Sequence, residues 1–139
     1  MIDRKDFQKL HEIIRELSLR SENGAVIIVE GLKDVASLRG LGIRGDIFMS
    51  SNTPDAVLVD RIGNKDVIIL TDCDRRGEIL ERSLVSKFSS WGIAPDVEFK
   101  KRIFSIVSRD IIFIENLANY YRKLEDELNF GVINGNHKI

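Results

Sequence analysis

Two short stretches of the chain, AVIIV at residues 25–29 and VIILT at 67–71, are apolar on both alternating parities. Much of the remaining apolar sequence recurs instead at spacings of three or four. Runs of the first kind fit parallel strands covered on both faces, and spacings of the second kind mark the buried stripe of a helix. Phe7, Leu10, Ile13, Ile14 and Leu17 predict an amphipathic helix over 3–20, stopped by the pair Asn23-Gly24. Leu32, Val35, Leu38 and Leu41 predict a second helix over 32–41, and a short strand is expected over 46–49. The next helix is expected to have Thr53 as N-cap, Pro54 in its first position and Gly63-Asn64 as its stop. After the second apolar strand, Ile79, Leu80, Leu84, Val85 and Phe88 mark another helix.

Beyond residue 90 the pattern is less regular. IAPDVEF, around Pro95, predicts a fourth strand, at the sheet edge or starting after the proline, which has no N–H to give to a ladder. RIFSIV, residues 102–107, reads as a fifth strand or a packing loop. A last helix is predicted over 109–128, with Ser108 as N-cap and Ile111, Ile114, Leu117, Tyr121, Leu124 and Leu128 on its stripe. The polar tail GVINGNHKI is expected to fray. Strands that alternate with helices argue for an α/β fold, a parallel sheet with helices on both faces, in one domain over 1–139.

Composition narrows the function classes. Lys plus Arg number 21 against 22 Asp plus Glu, so no broad basic surface shows in the bulk charge, and any phosphate recognition must be local or assisted by a metal. The single cysteine, Cys73, has no partner for a disulfide or a paired-cysteine zinc site; it reads as a packing residue in a reducing, cytoplasmic setting. No apolar run approaches the roughly 18 residues of a membrane span, and the N-terminus offers no apolar signal core.

The candidate chemistry lies where the two apolar strands end. Glu30 closes the first, and Asp72 and Asp74 follow the second. In an open parallel sheet, ligands gather at the carboxyl ends of the strands, where the strand order reverses. Neighbouring strands lie about 4.8 Å apart, so three carboxylates at adjacent ends would share one small volume, with Asp72 and Asp74 on the same side of an extended chain. Such a cluster favours either a shared proton or a cation, and hard oxygens without nearby His or Cys suit Mg2+ or Mn2+. Gly31 opens a helix whose first N–H groups can receive an anion, while Lys33, Arg75 and Arg76 lie in the first turns after the acids, with Gly77 leaving room beside them. Each feature also has a plain structural reading: Asp74 suits an N-cap, and Asp34 and Glu78 suit the helix dipole. Tyr120 and Tyr121 read as packing residues. His11 and His137 have no partner in the pattern and are not site candidates.

An apolar strand ending in Glu-Gly (VEGLKD, 29–34), followed by one ending in Asp-x-Asp-x-x-Gly (TDCDRRGE, 71–78), resembles the Toprim domain of topoisomerases, primases and several nucleases. The likeness covers roughly residues 24–100, and the chain looks most like small single-domain archaeal Toprim proteins and the Toprim nucleases that mature ribosomal RNA. It implies a three-layer fold with a four-stranded, mainly parallel sheet and the two motif strands side by side. It implies that Glu30 is a general acid or base, and that Asp72 and Asp74 hold magnesium for phosphoryl transfer, with Asp34 a supporting acidic position. There is no room for the tyrosine-bearing domain of a topoisomerase or the template-binding domains of a primase. The expectation is therefore a small metal-dependent nuclease acting on RNA or DNA, with Lys33, Arg75 and Arg76 steadying the phosphate. The alternative is a non-catalytic module that binds metal and nucleic acid and docks onto a protein partner. A phosphatase of the haloacid-dehalogenase type ranks last, because DCDRRGE lacks the Gly-Thr or Gly-Ser expected after its aspartates.

Overall fold

A computed structural model describes residues 1–129; the tail expected to fray, with His137, lies outside them. The chain runs α1 (Arg4–Glu22), β1 (Val26–Val29), α2 (Leu32–Gly40), β2 (Ile47–Met49), α3 (Asp55–Ile62), β3 (Val67–Ile69), α4 (Arg75–Ser90) and α5 (Glu98–Val107). A 3-10 turn (Ile114–Asn116), α6 (Leu117–Leu124) and a π-helical turn (Glu125–Asn129) complete it. The strands form one parallel sheet in the order β2-β1-β3, with Ile27 opposite Ile47 and Ile68.

The two-faced apolar runs are explained by what covers them. Ile27, Val29, Ile68 and Leu70 pack with Leu10 and Leu17 of α1, Leu38 of α2, Phe99 and Ile103 of α5, and Leu117 of α6. Val26, Ile28, Val67 and Ile69 face the other way, against Leu58 and Ile62 of α3 and Leu84 and Phe88 of α4. Helices thus cover both faces of a parallel sheet, as the patterning requires. The stop at Asn23-Gly24 is also as expected, Gly24 taking φ +103° and Gly63 taking φ +61°. Among the described residues no helix is long and apolar enough to cross a membrane.

Five expectations are corrected. The fourth strand is reduced to one parallel bridge between Ile68 and Asp96. The Asp96 side chain turns to accept the Glu98 N–H at 2.8 Å, which draws the chain into a helix two residues later. RIFSIV is neither strand nor loop but the end of α5, because Phe99, Ile103, Phe104 and Val107 share one buried face. Pro54 is the N-cap of α3, extended at ψ 145°, so the helix begins one residue later than predicted and Thr53 does not cap it.

The last helix also starts late. Ser108 closes α5, its N–H donating to the Phe104 carbonyl, and regular α structure resumes only at Leu117. The physical reason is long-range: the Ile112 carbonyl accepts from the Cys73 N–H at 2.7 Å, and the Ile114 N–H donates to Asp72 Oδ1 at 2.8 Å. Those groups serve another part of the molecule and are lost to a helical ladder. His11, expected to lack a partner, has its Nδ1 at 2.5 Å from the Tyr121 hydroxyl, whose ring also packs on Phe7.

Candidate functional site

With the order β2-β1-β3, the chain leaves β1 toward one side and returns on the other, so the gap between the ends of β1 and β3 is the switch point of the sheet. Glu30 stands at the end of β1, and Leu70, Thr71 and Asp72 extend the line of β3. Their backbones are close enough that the Asp72 N–H donates to Glu30 Oε2 at 3.0 Å. Asp72 in turn accepts from the Ile114 N–H, so its carboxylate is held between two distant parts of the chain.

The electrostatics of this spot are one-sided. Burial pushes the Asp72 carboxyl up to about 7, the Ile114 N–H pulls against it, and the neighbouring charges of Glu30 and Asp34 push it further up. Asp34 is itself 7% exposed; burial raises its carboxyl too, opposed by the Gly31 N–H and reinforced by Glu30 and Glu115. Among the described residues none of Glu30, Asp34 and Asp72 has a basic side chain in ion-pair contact. Three acids are therefore assembled without a countercharge.

Asp74, expected as a second metal ligand after Asp72, has one carboxylate oxygen committed to the backbone. It is the N-cap of α4, and its Oδ1 accepts from the Gly77 N–H at 2.7 Å. The acids acting on Asp72 are Glu30 and Asp34 instead. Gly77 does not leave space for a phosphate: a Cβ there would lie 2.0 Å from the Asp72 carbonyl oxygen, so its role is to let the start of α4 press against the Asp72 peptide. The Gly31 N–H is not free for an anion either, since it donates to Asp34 Oδ2 at 3.1 Å. Lys33, Arg75 and Arg76 are exposed, and among the described residues they enter no ion pair, which leaves their charges available beside the acids.

Among the described residues no group of three or more His, Cys, Asp or Glu side chains is disposed to hold a metal ion. The donors that do meet, Glu30 and Asp72, are hard oxygens in a partly buried, uncompensated acidic spot. Such a pair fits Mg2+ or Mn2+, which take one or two carboxylates and fill the rest of their shell with water or phosphate oxygens. The Oδ2 of Asp74, which its cap bond leaves aside, is the nearest further donor in sequence.

Lys100 is the residue that sequence reasoning missed. It is 3% exposed, donates to Thr71 Oγ1 at 2.9 Å, and pairs with Glu78 at 3.0 Å and Glu81 at 3.2 Å. The available signal was its place next to Phe99 on a helical stripe, legible only once 98–107 is read as a helix. Cys73 lines a small pocket of about 270 Å³ with Glu78, Lys100 and Phe104, and burial pushes its thiol up, away from reactivity. A groove of about 990 Å³ lies between α1 and α5 and includes none of the acids at the strand ends.

No protein-family model matches the chain. It is 42% identical over 120 residues to a UPF0292 protein of Archaeoglobus fulgidus, covering 86% of this chain and 95% of that one. A UPF0292 protein of Methanosarcina barkeri is 40% identical over 88% of this chain and 87% of its own length, and one of Methanocaldococcus jannaschii 38% over 84% and 93%. A solved structure of a protein from Aquifex aeolicus superposes with a TM-score of 0.66 at 33% identity, covering 76% of this chain and 94% of that one.

Proposed function

The chain belongs to the UPF0292 protein family, and we propose that it is a divalent-metal-dependent phosphoryl-transfer protein acting on RNA or DNA, a small nuclease of the Toprim kind. The observation that carries the reading is the contact of Glu30 with Asp72 across the switch point, in a spot where acids accumulate without a countercharge. Glu30 and Asp72, joined by the second carboxylate oxygen of Asp74, would hold Mg2+ or Mn2+; the bound ion would neutralise the acids and stabilise charge on a phosphate oxygen. Glu30 serves as general acid or base at the attacking water or the leaving oxygen. Lys33, Arg75 and Arg76 steady the phosphate through exposed, uncommitted charges, and Asp34 keeps the Glu30-Gly31 turn in place through the Gly31 N–H. A four-stranded Toprim-like sheet belongs to the same proposal, supported by the single parallel bridge of Asp96 to Ile68. A cytoplasmic setting is part of it as well, resting on the lone cysteine.

The test is incubation with Mg2+ or Mn2+ and a panel of labelled RNAs and DNAs, beside Glu30→Gln and Asp72→Asn. We expect cleavage by the parent protein and a loss of about 10²- to 10⁴-fold in Glu30→Gln. Cleavage by both variants at the parent rate would sink the proposal.

One observation favours a second reading, a non-catalytic module that binds metal and nucleic acid and docks onto a protein partner. Asp74 is engaged in capping α4, which leaves two converging carboxylates where hydrolysis by such a site would profit from three. Metal-dependent binding of nucleic acid with no turnover of any substrate decides for the module.

A further inference from the structure

A lysine buried to 3% exposure on the flank of a proposed active site needs a reason. All three protons of the Lys100 ammonium are engaged, by Thr71 Oγ1, Glu78 and Glu81. Ion pairs of this kind are weak evidence for stability, since well-packed apolar replacements often do as well; their best-attested use is to fix register. Here the register is readable. Because the ammonium occupies a lone pair of the Thr71 hydroxyl, the one hydroxyl proton is directed elsewhere, and it goes to the Gly77 carbonyl at 2.9 Å. The Gly77 N–H holds Asp74, and the Gly77 Cα rests against the Asp72 peptide. Glu78 and Glu81, one turn apart on α4, bring the same helix onto the same ammonium.

We propose that Lys100 is the positioning residue of the acid turn: through Thr71 and Gly77 it fixes where the backbone of Asp72 and Asp74 stands relative to Glu30. The claim rests on the reading of that turn as the metal-binding part of the site, and it extends that reading to a residue on a different helix, 28 positions from Asp72 in the sequence (100 minus 72). Among the described residues Lys100 makes no ion pair with Glu30, Asp72 or Asp74. It acts by geometry.

The test compares Lys100→Met, Lys100→Arg and Thr71→Val in the full chain by amide hydrogen exchange without metal, and by calorimetric titration with Mn2+. In Lys100→Met and Thr71→Val, exchange at Gly77 should rise about tenfold, the worth of one hydrogen bond, while the β1 amides of Ile27 and Ile28 stay unchanged. Mn2+ affinity should fall by roughly 10-fold or more, as when an outer partner of a ligand is removed, and Lys100→Arg should recover most of it. Thr71→Val keeps both ion pairs and carries the experiment if Lys100→Met fails to fold. Unchanged exchange at Gly77 in a folded variant overturns the proposal, and so does a uniform rise across Gly77 and β1. A parent protein that binds no Mn2+ overturns the metal reading of the site, and the exchange data alone then decide the positioning claim.

Discussion

The turns that follow β1 and β3 are built from the same parts and tuned in opposite ways. Each leads from a buried strand past a carboxylate into a helix, and each helix start is held by an aspartate three residues from a glycine. After β1 the aspartate lies inside the helix, Asp34 reaching back to the Gly31 N–H, so Glu30 stays free to meet Asp72. After β3 the aspartate lies outside, Asp74 reaching forward to the Gly77 N–H. The two glycines differ as much. A Cβ on Gly31 would meet nothing within 4 Å, whereas one on Gly77 would strike the Asp72 backbone. The first turn is open and presents an acid; the second is clamped and fixes one.

The largest effect that would break this comparison is at Gly77. Helix propensity alone predicts that Gly77→Ala stabilises the first turn of α4 by up to about 1 kcal/mol. The clash with Asp72 predicts the opposite, a loss of about 3 kcal/mol or more, at the upper end of overpacking. Chemical denaturation gives the sign, and a gain in stability would refute the clamp.

An intermediate effect comes from pH. The Asp72 carboxyl lies at about 7 in the fold, against an ordinary value of 3.8, so the folded state binds more protons than the unfolded chain between those limits. Stability contributed by Asp72 is therefore complete below about pH 4 and is lost as pH rises through about 7. Without metal, the melting temperature should fall from pH 5 to pH 8, and Asp72→Asn should flatten the fall. A Mg2+ concentration that saturates the site should flatten it as well, because the ion takes over the proton's role.

The smallest effect belongs to the open turn. Gly31 has φ −149°, extended backbone that any residue adopts, and Ala is a somewhat poorer N-cap than Gly. Gly31→Ala should change stability by less than about 1 kcal/mol, in contrast to Gly77→Ala. Equal losses at the two positions, read from the same denaturation curves, would erase the distinction between the turns.

Much of the sheet was legible because the relevant forces are local in sequence. AVIIV and VIILT declare themselves by having no polar parity, and a strand apolar on both faces needs helices on both sides. That the strands of Glu30 and Asp72 would lie side by side was implied by the family resemblance and not by the patterning, and the order β2-β1-β3 makes them neighbours. What was not legible depends on partners far along the chain. The 109–113 segment carries helix-compatible residues, but its course is set by bonds to residues 72 and 73. Lys100 looks like one more surface lysine in KKR until its partners on α4 and beyond β3 are known. Asp74 is the instructive middle case: the sequence offered both a metal ligand and an N-cap, and nothing local separates the two.

The position of Asp72 also bears on how the chain comes together. Its N–H reaches back 42 residues to Glu30, and its carboxylate reaches forward 42 residues to Ile114. Both closures carry the entropic cost of long loops and follow the local helices in time. In the finished fold the acid pair is held from both sides only where α5 has been completed and the chain has turned back past β3. Both anchors of Asp72 are therefore available only once the chain through residue 114 is in place.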